Sequence, residues 1–364
     1  MNSTDLIRRD VAAMEPYTPI FPLEVLAARL GRDPDDLIKL DANENPYGPP
    51  PGVRAALANL RYAHIYPDPL SRELRAALAD FTGVPAGLLL AGAGADELID
   101  LTMRLFLHPG DAVIDCPPTF GMYAFDAAIS GATVISIPRR ADFSLDLDAV
   151  EEAALRRSPK LIFVASPNNP DGRWLPDADL ERLLSLPLVV VLDEAYVEFA
   201  GPARSRIRQV PERPNLVVLR TFSKWGGLAG LRVGYGAFPA PLMPHLWKIK
   251  QPYNLSAAAS AAAIAALKDR AWLEEKTALI VRERERLWSL LQDIPYLRTY
   301  PPPSRSNFVL CRVVNRDARE LKLALEQEGI LVRYFDKAGL RDHVRISVGQ
   351  PDHTAALIAA LRRL

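Results

Sequence analysis

Cysteine is nearly absent from the 364 residues: Cys116 and Cys311 are the only two. Two thiols build no disulfide framework and match no metal-ligand spacing. The chain therefore reads as a protein of a reducing cytoplasm, with no metal site and both cysteines in the core. An excess of either charge is also missing, since Lys+Arg and Asp+Glu number 44 each. That balance leaves no footprint for nucleic acid or an anionic membrane surface and points to a small-molecule partner. Long apolar runs are lacking as well. The alanine-rich stretch SAAASAAAIAALK at 256–268 is too short and too rich in serine to span a bilayer, and it reads as a buried helix. The N-terminus, MNSTDLIRRDVAAMEPYTPIFP, carries charges where a signal peptide needs an apolar stretch, so no export is expected. Lysine is scarce beside arginine, nine against thirty-five.

What is present is an alternation. The length suits one large domain plus a smaller one. Helical periodicity over 22–31 gives way to the loop DANENPYGPPPG, which marks a boundary near residue 41. Strands are then expected in GLLLAG, DAVID, ATVISIP, KLIFVAS, LPLVVVLD and NLVVLRTF, several running into polar loops and helices. Runs apolar throughout, rather than alternating, suit a mostly parallel sheet covered by helices on both faces, an α/β fold. A long helix around WLEEKTALIVRERERLWSLLQ is expected to turn its run of arginine and glutamate to solvent. Residues 41–269 thus read as the large domain, and 1–40 with 270–364 as a smaller α+β domain.

Ligands of an open parallel sheet gather beyond the carboxyl ends of its strands. Four polar clusters fall there. In AGAGADE the glycines let backbone approach a ligand and the next helix offers free N–H groups, an anion seat. An ordinary strand-to-helix turn explains the same residues. Glu97 stands where a dinucleotide fingerprint has its third glycine, and no glycine-lysine pair forms a P-loop. Asn168 and Asn169 lie in SPNNPDG, a turn by its prolines and glycine. Asp193, followed by Tyr196, ends an apolar strand, where a carboxylate needs a cation or donors; a helix cap is the alternative. Lys224, in LRTFSKWGGLAGLRVGYG, follows another such strand. Unlike arginine, lysine can lose its proton and attack a carbonyl, and Arg232 nearby lowers its pKa. Thr221, Ser223 and Arg232 place a phosphate seat beside that amine. A surface lysine is the alternative. Together the clusters fit pyridoxal 5'-phosphate: an aldehyde for Lys224, a ring nitrogen for Asp193, a phenolate oxygen for Tyr196 and Asn169, and a phosphate for the remainder.

With LDANENPYGPP, YPDP, GAGADELI, CPPTFGMY, SPNNPDG, DEAYVEF, RTFSKWGGLAGLRVGY, PYNLS, SRSNFVL and VRISVGQPD in that order, the sequence resembles the class I/II aminotransferases of fold type I over nearly its whole length. Within them it is most similar to the histidinol-phosphate aminotransferases. The resemblance implies a seven-stranded, mostly parallel sheet and a smaller C-terminal α+β domain. It also implies an aldimine between Lys224 and the cofactor, with Lys224 later moving the substrate-carbon proton. Asp193 would keep the ring nitrogen protonated, Tyr196 and Asn169 would bind the ring oxygen, and Phe120 would stack on the ring, where many relatives carry tyrosine. The amides of Ala95 and Asp96, the side chains of Thr221, Ser223 and Arg232, and Tyr66 from a partner subunit would hold the phosphate. That last point implies a homodimer with shared active sites.

By the same resemblance Arg345 binds a substrate carboxylate, Arg333 makes a second anion contact suited to a substrate phosphate, and Tyr17 and Asn43 belong to the substrate pocket. The implied reaction is a ping-pong transfer of the amino group between glutamate and imidazole-acetol phosphate. An aromatic-amino-acid aminotransferase and a phosphothreonine decarboxylase use the same cofactor and remain alternatives. A non-catalytic pyridoxal-phosphate-binding protein needs neither substrate arginine. Two departures stand out, Trp225-Gly226 after the lysine and Asp171 for a threonine, and either can reshape the mouth of the pocket.

Overall fold

The uninterrupted apolar runs become central strands because both of their faces are covered. In the computed structural model, which describes residues 2–14 and 21–364, the large sheet is built from β2 (Leu89–Gly92), β3 (Ala112–Asp115), β4 (Thr133–Ser136), β5 (Leu161–Ala165), β6 (Val189–Asp193), β7 (Leu216–Thr221) and β8 (Gly234–Ala237). Alternate residues of these strands enter two separate cores. Ile162, Val164, Val190, Leu192, Leu216 and Val218 pack on one face, and Leu161, Phe163, Val191, Val217 and Leu219 on the other. The two-residue period of a strand thus divides each apolar run between two layers of helices.

The strand order is β2-β8-β7-β6-β5-β3-β4. All pairings are parallel except those of β8, which runs antiparallel to both neighbours. After β4 the chain crosses back over β3 to start β5, so the strand order reverses there and opens a crevice beyond the carboxyl ends. Register then fixes what lines it: Ala165 of β5 is paired with Asp193 of β6, and Asp193 with Leu219 of β7.

A second sheet has the order β1-β11-β12-β10-β9, with β1 (Ile38–Leu40), β9 (Leu297–Thr299), β10 (Phe308–Val313), β11 (Ile330–Tyr334) and β12 (His343–Ser347). β1 pairs in parallel with β11, which ties the segment before residue 41 to the C-terminal third; the other pairings are antiparallel.

The sequence gives no strong strand signal for β1, β8 or β9. β8 is GYGA, and glycine has low strand propensity. A Cβ at Gly234 would lie 2.6 Å from the Ala95 nitrogen, so close backbone approach decides that residue. The charged helix, Arg270–Gln292, also differs from expectation. Glu283 and Arg284 of its RERER run are buried, and Arg284 Nη1 donates to the carbonyls of Phe199 (3.1 Å) and Ser306 (3.0 Å). Among the described residues no helix is long and apolar enough to cross a membrane, and both cysteines are buried.

Candidate active site

A cavity of about 950 Å³ opens where the carboxyl ends of β5, β6 and β7 face the second sheet, and Asp193, Lys224, Arg232, Arg333 and Arg345 all reach it. Lys224 lies three residues beyond the end of β7, and its partly buried Nζ donates to the Ala42 carbonyl at 2.9 Å. Removal from water brings the amine down to a pKa of about 8. Arg345 adds most to that, Glu44 and Asp96 oppose it, and Arg232 contributes in the same direction as Arg345.

Asp193 is 5% exposed at the end of β6. Burial pushes its carboxyl up to about 6, against two donors that favour the ionised form. The Tyr123 hydroxyl donates to Oδ2 at 2.7 Å and the Ala195 amide to Oδ1 at 3.0 Å. Tyr196, also buried, accepts from Asn43 Nδ2 at 3.0 Å, and burial holds its phenol above the ordinary range. Asn43 is in turn fixed by Ser347, which accepts from its amide at 2.9 Å and donates to its Oδ1 at 2.8 Å, and by Asn307, which donates to its carbonyl at 2.9 Å. Its positive φ of 57° is a conformation asparagine tolerates better than most residues.

The anion seat is compact. Ser223 and Thr221 share a hydroxyl contact of 2.9 Å, the Ser223 amide donates back to Thr221 at 3.1 Å, and Arg232 Nη1 donates to Ser223 Oγ at 3.3 Å. Opposite them begins the helix Gly94–Phe106, whose first-turn amides, Ala95 and Asp96 among them, have no acceptor within the helix. Arg232 Nη2 donates to Asp96 at 2.7 Å and bridges the two sides. Gly94 has φ +82°, and a Cβ there would sit 2.5 Å from Arg232, so glycine keeps the seat open. Glu97 accepts from the Ala93 amide (2.5 Å) and from Asn254 Nδ2 (2.8 Å), which pins the turn before the helix.

The two neighbouring asparagines diverge. Asn169 reaches the cavity, where its Oδ1 accepts from Arg345 Nη1 at 2.6 Å; Arg345 Nη2 donates to the Asp41 carbonyl at 2.6 Å. Asn168 is fully buried and joins two loops, accepting from Thr119 at 2.8 Å and donating to the Pro118 carbonyl at 3.1 Å and to Asp171. Phe120 lies on the cavity wall, edge-on to Tyr123 at 5.5 Å. Arg333 reaches the same cavity from β11.

Two expectations about the pocket mouth are corrected. Asp171 turns inward, accepting from the amides of Arg173 (2.7 Å) and Asn168, and so closes its own turn. Trp225 is 3% exposed, stacks on Phe81 at 5.3 Å, and donates from Nε1 to the Thr221 carbonyl at 2.9 Å; a Cβ at Gly226 would meet the Phe222 carbonyl at 2.9 Å. Both departures serve packing and turn closure instead. Tyr66 stands outside this chain's cavity, 77% exposed and stacked on Tyr253 at 4.5 Å. Tyr17 lies outside the described residues. Tyr123, Ser347 and Asn307 were not singled out from sequence: a tyrosine in GMY and polar residues in RIS and SN carry no local mark of their partners.

Comparison with known proteins identifies the family. The family model described as aminotransferase class I and II matches residues 35–362. The chain is 54% identical over 357 residues to the chloroplastic histidinol-phosphate aminotransferase of Nicotiana plumbaginifolia, covering 98% of this chain and 86% of the relative. It is 52% identical over 370 residues to the histidinol-phosphate aminotransferase of Roseiflexus castenholzii, covering 99% and 98%. Among solved structures, the histidinol-phosphate aminotransferase of Sinorhizobium meliloti in complex with pyridoxal-5'-phosphate superposes with a TM-score of 0.89 at 30% identity, covering 98% of this chain and 96% of that one.

Proposed function

The chain belongs to the class I and II aminotransferases, and from that membership we propose that it uses pyridoxal 5'-phosphate to exchange the amino group of histidinol phosphate with 2-oxoglutarate, forming imidazole-acetol phosphate and glutamate. The observation that carries the substrate assignment is the register of the second sheet. Arg333 and Arg345 are direct partners on β11 and β12 and both reach the cavity of Lys224, a two-cation seat for an anionic substrate.

The residues present fit the cofactor. An anion seat kept open by Gly94, a buried carboxylate at the end of β6, and an amine of lowered pKa lie around one cavity. When bound, pyridoxal 5'-phosphate supplies an aldehyde and an electron-withdrawing ring. Ala95, Asp96, Thr221, Ser223 and Arg232 hold its phosphate. Asp193 would face its ring nitrogen, Asn169 and Tyr196 its ring oxygen, and Phe120 would cover its face. Lys224, with a pKa of about 8, is able both to attack as a free amine and to hold a proton at Nζ for the substrate carbon. Arg345 meets the glutamate carboxylate and Arg333 the substrate phosphate, while Asn43 positions Tyr196 at the pocket wall.

Tyr66, exposed on this chain, completes the phosphate site of a second copy, which makes the working form a homodimer. Residues 41–269 form the large domain, and 1–40 with 270–364 the small one. The balanced charge and the two buried free thiols suit the cytoplasm. The test is to supply purified protein and cofactor with histidinol phosphate and 2-oxoglutarate. One glutamate for each histidinol phosphate consumed is expected, and carbon dioxide released from phosphothreonine without amino transfer contradicts the assignment.

A further inference from the structure

The carboxylate of Asp193 does not stand alone at the end of β6. Tyr123 enters from the helix Met122–Ile129, fully buried, and directs its hydroxyl onto Asp193 Oδ2 at 2.7 Å. Its ring is fixed from two sides, stacked on Phe163 at 5.1 Å with 20° between the planes and edge-on to Phe120 at 5.5 Å. Phe120 borders the cavity while Phe163 belongs to the core beneath the sheet. The hydroxyl is therefore held by the same packing that shapes the cavity wall.

We propose that Tyr123 is a positioning residue for the reaction: its hydroxyl orients Asp193 and makes that carboxylate a weaker base, so that a proton shared with the cofactor's ring nitrogen rests on the nitrogen. The inference depends on the cofactor assignment made above. Asp193 has two oxygens, and Ala195 fixes Oδ1 from the backbone at 3.0 Å. A side chain fixes the other. Without the Tyr123 hydroxyl, a carboxylate 5% exposed would face burial with one protein donor fewer. Burial already pushes its carboxyl up to about 6, so the remaining charge would be more basic and would take the shared proton more readily.

The phenol keeps its own proton. Burial, joined by the negative charges of Asp193 and Asp115 and by Tyr196, holds its pKa well above the ordinary value, so the group stays a donor. The other charged groups that act on Asp193 are Asp96, of like sign, and Lys224, of opposite sign. Neither is a fixed hydrogen-bond donor to the carboxylate.

Tyr123→Phe removes the donor and keeps the stacked ring. The readout is the ¹⁵N resonance of the ring nitrogen in holoenzyme reconstituted with ¹⁵N-labelled pyridoxal 5'-phosphate, together with the cofactor's Kd for the apoprotein. The resonance is expected at the protonated position in the wild type and displaced toward the unprotonated position in the variant, with a Kd raised about tenfold. Phe163→Leu, which loosens the packing around the ring but keeps the donor, should displace the resonance less than Tyr123→Phe does. If Tyr123→Phe does not accumulate in soluble form, 3-fluorotyrosine at position 123 keeps the ring and strengthens donation. The resonance must then hold at, or move further toward, the protonated limit. An unchanged resonance in Tyr123→Phe, or a shift toward the unprotonated position with 3-fluorotyrosine, overturns the proposal. A wild-type protein that takes up no cofactor would instead contradict the function proposed above.

Discussion

Arg333 and Arg345 stand opposite each other on β11 and β12, and both enter the cavity that holds Lys224. Like charges at directly paired strand positions repel and destabilise a sheet, so the arrangement needs compensation. Part of it is internal: Arg345 lays its fork on Asn169 and the Asp41 carbonyl. An anionic substrate bound in the cavity would add to that compensation. Arg333→Leu should therefore lower kcat/KM for histidinol phosphate roughly 10–100-fold, the worth of a charge-assisted contact of about 1.5–3 kcal/mol, and lower it less for glutamate. Steady-state kinetics of the two half-reactions measure this. Equal losses on both substrates would contradict a phosphate role for Arg333.

The lowered pKa of Lys224 predicts a pH dependence for cofactor capture. The attacking form is the free amine, which increases as pH rises through about 8. The second-order rate of pyridoxal 5'-phosphate uptake by apoprotein should climb through that pH and level off above it. Arg345 contributes most to the depression after burial, so Arg345→Leu should move the rise to higher pH. Stopped-flow absorbance across the range tests both, and a flat profile with no shift would contradict them.

Tyr66 predicts complementation between copies. It is 77% exposed, away from the cavity of its own chain. If each active site takes Tyr66 from one copy and Lys224 from the other, a Tyr66→Ala protein and a Lys224→Ala protein, each impaired, regain activity when mixed and allowed to exchange. Random pairing gives about one intact site in four. Activity no greater than the sum of the parts would contradict shared sites.

Trp225 marks a boundary between stability and specificity. Stacked on Phe81 and Phe222 and 3% exposed, it packs beneath the lysine turn and lies off the cavity wall. Trp225→Ala should cost about 3–5 kcal/mol of stability, seen as a lower Tm, and leave the ratio of kcat/KM between phosphorylated and aromatic substrates unchanged. A changed ratio would show that this side chain does reach the substrate.

Much of the site was legible because its residues sit at a place that sequence reveals. Asp193 ends and Lys224 follows strands whose apolar runs are unmistakable, and the strand ends are where an open parallel sheet binds ligands. The glycines of AGAGADE were legible for the same reason. Partners supplied from afar were not. Tyr123 meets Asp193 across 70 residues and Ser347 meets Asn43 across 304, and nothing local to either end specifies the other. β8 was hidden because Gly234 is demanded by contact with Ala95, against strand propensity. The direction in which Trp225 and Asp171 point was equally hidden, since a turn residue can face either the cavity or the core.

Single turnovers with four amino donors identify the substrate. Holoenzyme is mixed in parallel with histidinol phosphate, phenylalanine, phosphothreonine and glutamate, and conversion of the cofactor to its amine form is followed by absorbance. Histidinol phosphate should convert it with by far the highest second-order rate constant, and phosphothreonine should release no carbon dioxide. Phenylalanine matching or exceeding histidinol phosphate would contradict the phosphate seat at Arg333 and make the protein a broader aromatic aminotransferase.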